Sequence, residues 1–115
     1  MKNIELNGDI VEIDDSIVEL ITLLNQKKYY TQECCSGMHK DHTYMAEHSA
    51  MRITFSQYLN PKQLILLEKA CLRSDLIFSK EYELGIIWSR KEPDHLKENK
   101  IKKLIEYLNN HERDR

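Results

Sequence analysis

The run Tyr29-Tyr30-Thr31-Gln32-Glu33-Cys34-Cys35-Ser36-Gly37 constrains this chain most. It is rich in β-formers and ends on a residue that alone tolerates a positive φ without strain. It therefore reads as a strand running into a tight turn. Thiol, hydroxyl and bare backbone N–H groups then converge at a strand end, a corner that suits a ligand.

The neighbours of this run frame it. Ser16-Ile17-Val18-Glu19 has capping-box spacing, and Ile17, Leu20, Ile21 and Leu24 follow at helical intervals. The helix should end near Gln26 to Lys28, where basic side chains meet the negative end of the dipole. Ahead of it, Ile4 to Ile13 alternates loosely around Asn7-Gly8, a hairpin-turn pair. Beyond the turn, Gly37 to Ser49 is polar and histidine-rich, and reads as an exposed loop. Arg52 to Ser56 reads as a strand with Ile53 and Phe55 on one face. Asn60-Pro61 opens a second helix, since Asn caps and Pro at the first position loses no needed N–H. Its stripe is Leu64, Leu67, Cys71 and Leu72.

Two strands follow, Leu76 to Phe78 and Leu84 to Ser89. Leu84, Ile86 and Trp88 share a face, and Trp88 is expected to pack under the last helix. That helix starts after Pro93-Asp94, with Leu96, Ile101, Leu104, Ile105 and Leu108 on its apolar side and Lys97, Lys100 and Lys103 elsewhere. The order is roughly β-α-β-β-α-β-β-α. Helices interleaved with paired strands predict an α+β fold, a small mixed or antiparallel sheet covered by about three helices. The 115 residues make a single domain, 1–115.

Composition narrows the function classes. A hydrophobic share of 41% with 31% charged residues supports one modest core under a solvated surface. No apolar run reaches membrane-span length, the N-terminus has no hydrophobic signal region, and the cytoplasm is the expected compartment. Three cysteines, two of them adjacent, do not make a disulfide scaffold. The net charge of −2 does not by itself point to nucleic acid. Residues 1–25, however, hold six acids and one base, against eight bases and six acids in 90–115.

Read in order, the chain resembles the wybutosine-synthesis methyltransferases. That family's signature Tyr-Phe-Thr-Thr-Ser-Ser-Cys-Ser-Gly-Arg is matched in register by Tyr29, Tyr30, Thr31, Cys35, Ser36 and Gly37. Thr54-Phe55-Ser56-Gln57 is similar to a family strand ending in Val-Ser-His. Ala70-Cys71-Leu72-Arg73-Ser74-Asp75 is similar to Ala-Gly-Phe-Arg-x-Ser-Gly, and Gly85 to Arg90 to the strand that follows. The resemblance implies a ligand site at Cys35, Ser36 and Gly37, with Arg73 at a family position; Arg52, which precedes a strand next to the histidine loop, could add charge to the same cleft more weakly. It implies S-adenosylmethionine as cofactor and a modified tRNA base as methyl acceptor. Cys34, Met38, Gln57 and Asp75 stand where the family has Ser, Arg, His and Gly. The first expectation is therefore a binding domain for a nucleoside-containing small molecule, S-adenosylmethionine-like or a nucleotide. Methyl transfer to tRNA is the second. A protein–protein or host-blocking factor is the third. On any of these readings the chain is expected to be a monomer or a homodimer.

Cys34, Cys35, His39, His42 and His48 are all zinc-compatible. Adjacent strand residues point to opposite faces, so Cys34 and Cys35 cannot easily share a metal, and none is expected. Cys35 with His39 and His42 is the sterically conceivable set. Cys35 as a nucleophile with a histidine base is a further reading. Tyr29, Tyr30 and Trp88 could stack on a base, although strand aromatics more often pair across a sheet.

Overall fold

The computed structural model describes residues 1–41, 49–56, 59–81 and 84–111. The chain is α+β. Strands β1 (Lys2–Leu6) and β2 (Asp9–Ile13) form an antiparallel hairpin. Its turn has φ of 53° at Asn7 and 91° at Gly8, the two positive values that an Asn-Gly pair accommodates. A 3-10 turn (Asp15–Ile17) leads into α1 (Val18–Gln26). Then come β3 (Thr31–Cys35), β4 (Arg52–Phe55), α2 (Pro61–Arg73), β5 (Ile77–Glu81), β6 (Leu84–Trp88) and α3 (Asp94–His111). The second sheet has the order β3-β4-β6-β5 and is antiparallel throughout.

The three helices lie on one side of this sheet. Ile53, Phe55 and Ile87 join Leu20, Ile21, Leu24, Leu67, Ile101 and Leu104 in one buried cluster. Pleating sends the alternate residues to the far side. There the register lines up Cys35, Arg52, Trp88 and Ile77 in a row across all four strands. Trp88 thus does not pack under α3. β6 is a central strand, apolar on both faces. Its core side carries Ile87 and Gly85, where a Cβ would press against Phe78 and Leu64. Leu84, Ile86 and Trp88 turn away.

The second helix begins as its sequence predicts. Asn60 accepts from the Gln63 N–H at 2.9 Å, and the Gln63 side chain accepts from the Asn60 N–H at 3.0 Å. Leu72, however, is 74% exposed, and Ala70 takes its place in the stripe. At the helix end Asp75 adopts φ 57°, and the Leu76 N–H reaches back to the Cys71 carbonyl at 2.9 Å, a Schellman closure.

The first helix begins differently. Ser16 sits inside the 3-10 turn, already helical, and makes no cap. Its hydroxyl is buried with no partner among the described residues. A buried hydroxyl with no hydrogen bond contributes nothing but its desolvation cost. Ser16→Ala should therefore leave the melting temperature unchanged or raise it. A drop equivalent to about 1 kcal/mol, the usual worth of an N-cap, would restore the capping box.

The last helix holds the largest departure from pattern. Lys97 has 0% exposure and Lys100 is also buried. Lys100 pairs with the buried Glu92 at 2.7 Å and, more loosely, with Asp75 at 3.5 Å.

Candidate functional site

The Cys-Ser-Gly turn is a buried joint among β3, β4, the hairpin and α3. Ser36, Gly37 and Met38 are all buried. The Ser36 N–H donates to Asp14 Oδ2 at 2.8 Å, which ties the end of β2 to the end of β3. The Ser36 hydroxyl donates to Asp41 at 2.6 Å and accepts from the Met38 N–H at 3.1 Å. Gly37 has φ 64°, as its place in a turn predicts. A Cβ there would overlap the Ala50 carbonyl and stand 2.7 Å from the Met51 nitrogen.

Lys97 secures this joint from α3. Its Nζ donates to the Gly37 carbonyl and to the Ser49 carbonyl, both at 2.6 Å, and stands 3.7 Å from Asp94. Asp94 in turn accepts the N–H groups of His39 at 2.9 Å and Lys40 at 3.1 Å, while the Lys40 ammonium pairs with Glu98. One turn of α3 thereby holds residues 37–40 and Ser49. Sequence reasoning missed Lys97. The signal was its position, four residues before Ile101 on the line that continues to Leu104 and Leu108.

Burial alone would raise the Asp94 carboxyl. The two N–H donors and the Lys97 charge outweigh that and hold it below its usual value. A depressed carboxylate lends stability that is full above its unfolded value, about pH 4, and is lost as pH falls through the folded value. The melting temperature should therefore fall less steeply on acidification from about pH 5 to pH 3 in Asp94→Asn than in the native chain. Parallel curves would remove Asp94 from the acid response.

The thiols divide by environment. Cys34 lies on the core side of β3. Burial, with Asp14 and Cys35 nearby, pushes its pKa up to about 11. Burial beside Glu68 raises Cys71 to about 12. Both are therefore poor nucleophiles near neutrality. Cys35 is half-buried on the far face of the sheet. His39 is exposed. His42 and His48 fall outside the described residues. Among those described, no three His, Cys, Asp or Glu side chains converge to hold a metal.

The residues named from sequence fall into three places. Ser36 and Gly37 lie in the buried joint. Cys35 and Arg52 are register partners on the far face of the sheet, with Trp88 next to Arg52 on β6. Arg73 is exposed at the end of α2, which packs on the opposite side of the sheet. Arg52 is 47% exposed and reaches Glu33 at 3.5 Å. The Trp88 indole N–H donates to Ser79 Oγ at 2.9 Å, which fixes the ring on that face. The far face thus presents a guanidinium beside a held indole.

Comparison with known proteins finds no matching family model, no matching curated protein and no matching solved structure. No described helix is long and apolar enough to cross a membrane.

Proposed function

We propose that this domain binds a nucleoside-containing small molecule on the far face of its four-stranded sheet, at the row Cys35, Arg52 and Trp88. The observation that carries this reading is the pairing of Arg52 with Trp88 across β4 and β6. A held indole offers a stacking surface for a base, worth about 1–3 kcal/mol in nucleic-acid binders. The neighbouring guanidinium suits the anionic end of the same ligand, a carboxylate or a phosphate. S-adenosylmethionine carries both a base and a carboxylate, which agrees with the resemblance to the wybutosine-synthesis methyltransferases. Binding is favoured over methyl transfer because Cys34, Met38, Gln57 and Asp75 replace the family residues.

Isothermal titration against S-adenosylmethionine, its demethylated product and adenosine monophosphate tests the reading. Saturable binding of at least one is expected, weakened about tenfold in Arg52→Ala, whose exposed side chain contributes little to stability. No heat from any of the three with folded protein would reject the proposal, as would Arg52→Ala binding as well as the native chain.

A further inference from the structure

The hairpin and the large sheet leave two strand edges facing each other. β2 and β3 are joined through α1 and run in the same direction. At one end Asn7 donates to the Asn25 side chain at 3.2 Å, and Asn25 accepts from the Thr31 N–H at 3.3 Å. At the other end Asp14 accepts from the Ser36 N–H. Between these ties, β2 and β3 form no ladder and belong to separate sheets. A groove of about 390 Å³ lies along them. Two parallel strands joined by a helix with space between them are the frame of a split β-α-β unit, in which a further strand fits between the pair.

The groove has two chemically distinct sides. Val11, Ile13 and Cys34 form its floor, packed against the core. Glu12, Glu33 and Arg52 are exposed at its rim, where Arg52 reaches Glu33 at 3.5 Å and the balance is one net acid. Backbone groups line it as well. The Ser36 N–H points out of the free edge of β3, and strand alternation sends the Cys34 N–H and carbonyl the same way. Among the described residues, no strand pairs with that edge. Such an edge is a template for strand addition.

We propose that this groove takes a short extended segment of a partner protein in which apolar and basic residues alternate. The segment enters as a strand between β2 and β3. Its backbone hydrogen-bonds Cys34, its apolar side chains meet Val11 and Ile13, and its lysines or arginines meet Glu12 and compete with Arg52 for Glu33. The pleat of an added strand delivers alternate side chains to the floor and the rim. The acidic rim selects the sign of the charge. This site is on the free edge of β3; it shares Arg52 with the ligand reading above, but its test reads Cys34 and Glu12, which that reading does not use.

The test uses the whole chain, labelled with nitrogen-15, and a blocked hexapeptide alternating valine and lysine. A valine–glutamate peptide of equal length is the control. The valine–lysine peptide should bind saturably and slow amide exchange at Cys34 by about tenfold or more. The control should not bind. Glu12→Lys, at an exposed position, should weaken the valine–lysine peptide about fivefold or more without changing the melting temperature. The proposal is overturned by any of four results: no binding at millimolar peptide, equal binding of both peptides, protection that spares Cys34, or no effect of Glu12→Lys.

Discussion

Gly37→Val should cost the chain about 4 kcal/mol or more of stability, and Gly37→Ala should be nearly as damaging. Two costs add at this position. At φ 64° any Cβ strains the backbone by about 1 kcal/mol or more. That Cβ must also enter space held by the Ala50 carbonyl and the Met51 nitrogen. Both obstacles are backbone, and they cannot retreat cheaply. The Met51 N–H donates to Ser89 Oγ at 2.7 Å, and the Met51 carbonyl accepts from the Ser89 N–H at 3.0 Å. The expected loss is about 4 kcal/mol or more, most of the stability of a small domain. Gly8 is the internal control. Its φ is 91°, but nothing lies within 4 Å of its missing Cβ. Gly8→Ala should cost only about 1 kcal/mol, the strain alone. Urea midpoints of the two alanine variants give the comparison. Equal losses would mean that the clash at Gly37 is relieved and the joint is not rigid.

Lys97→Met should cost about 2–4 kcal/mol, mostly for the donor lost to two carbonyls and less for the charge lost beside the half-buried Asp94. Methionine fills similar volume, so the loss is electrostatic rather than a cavity effect. It removes the Nζ donor that the Gly37 and Ser49 carbonyls each hold at 2.6 Å, and takes the Lys97 charge from beside Asp94. Lys103, exposed on the same helix, is the contrast. Lys103→Met should change stability by less than about 0.5 kcal/mol. Thermal or urea melts of both variants decide the matter, and similar stabilities would show that the Lys97 contacts are dispensable.

Much of this fold is legible where short-range chemistry dictates geometry. Asn7-Gly8 forces a hairpin turn, Asn60-Pro61 with Gln63 caps a helix, and Gly37 takes the left-handed conformation its turn requires. Lys97 and Lys100 are not legible, because lysine counts as a solvent residue in any apolar–polar pattern. Only the carbonyls and carboxylates gathered around them reverse that. Those groups come from Gly37, Ser49, Glu92 and Asp94, and for Lys97 two of the three are far away in sequence. The strand that ends in Trp88 fails for a related reason. Its alternation marks two faces correctly, but a central strand is apolar on both, so size alone points the wrong side inward. Of the candidate site, the row Cys35 and Arg52 could be named from sequence. Its position beside Trp88 could not, because strand order and register are long-range properties.

Trp88 is the one tryptophan of the chain, so its indole N–H gives a single side-chain resonance on the proposed binding face. Titration of S-adenosylmethionine, its demethylated product and adenosine monophosphate, each in turn, into nitrogen-15-labelled protein, followed at that resonance and at the backbone amides, tests the central claim most directly. The indole signal and the Arg52 amide should shift together and saturate, while the Ser36 and Gly37 amides, held in the buried joint, stay in place. A folded protein whose indole moves with none of the three, or whose shifts are confined to Ser36 and Gly37, would contradict it.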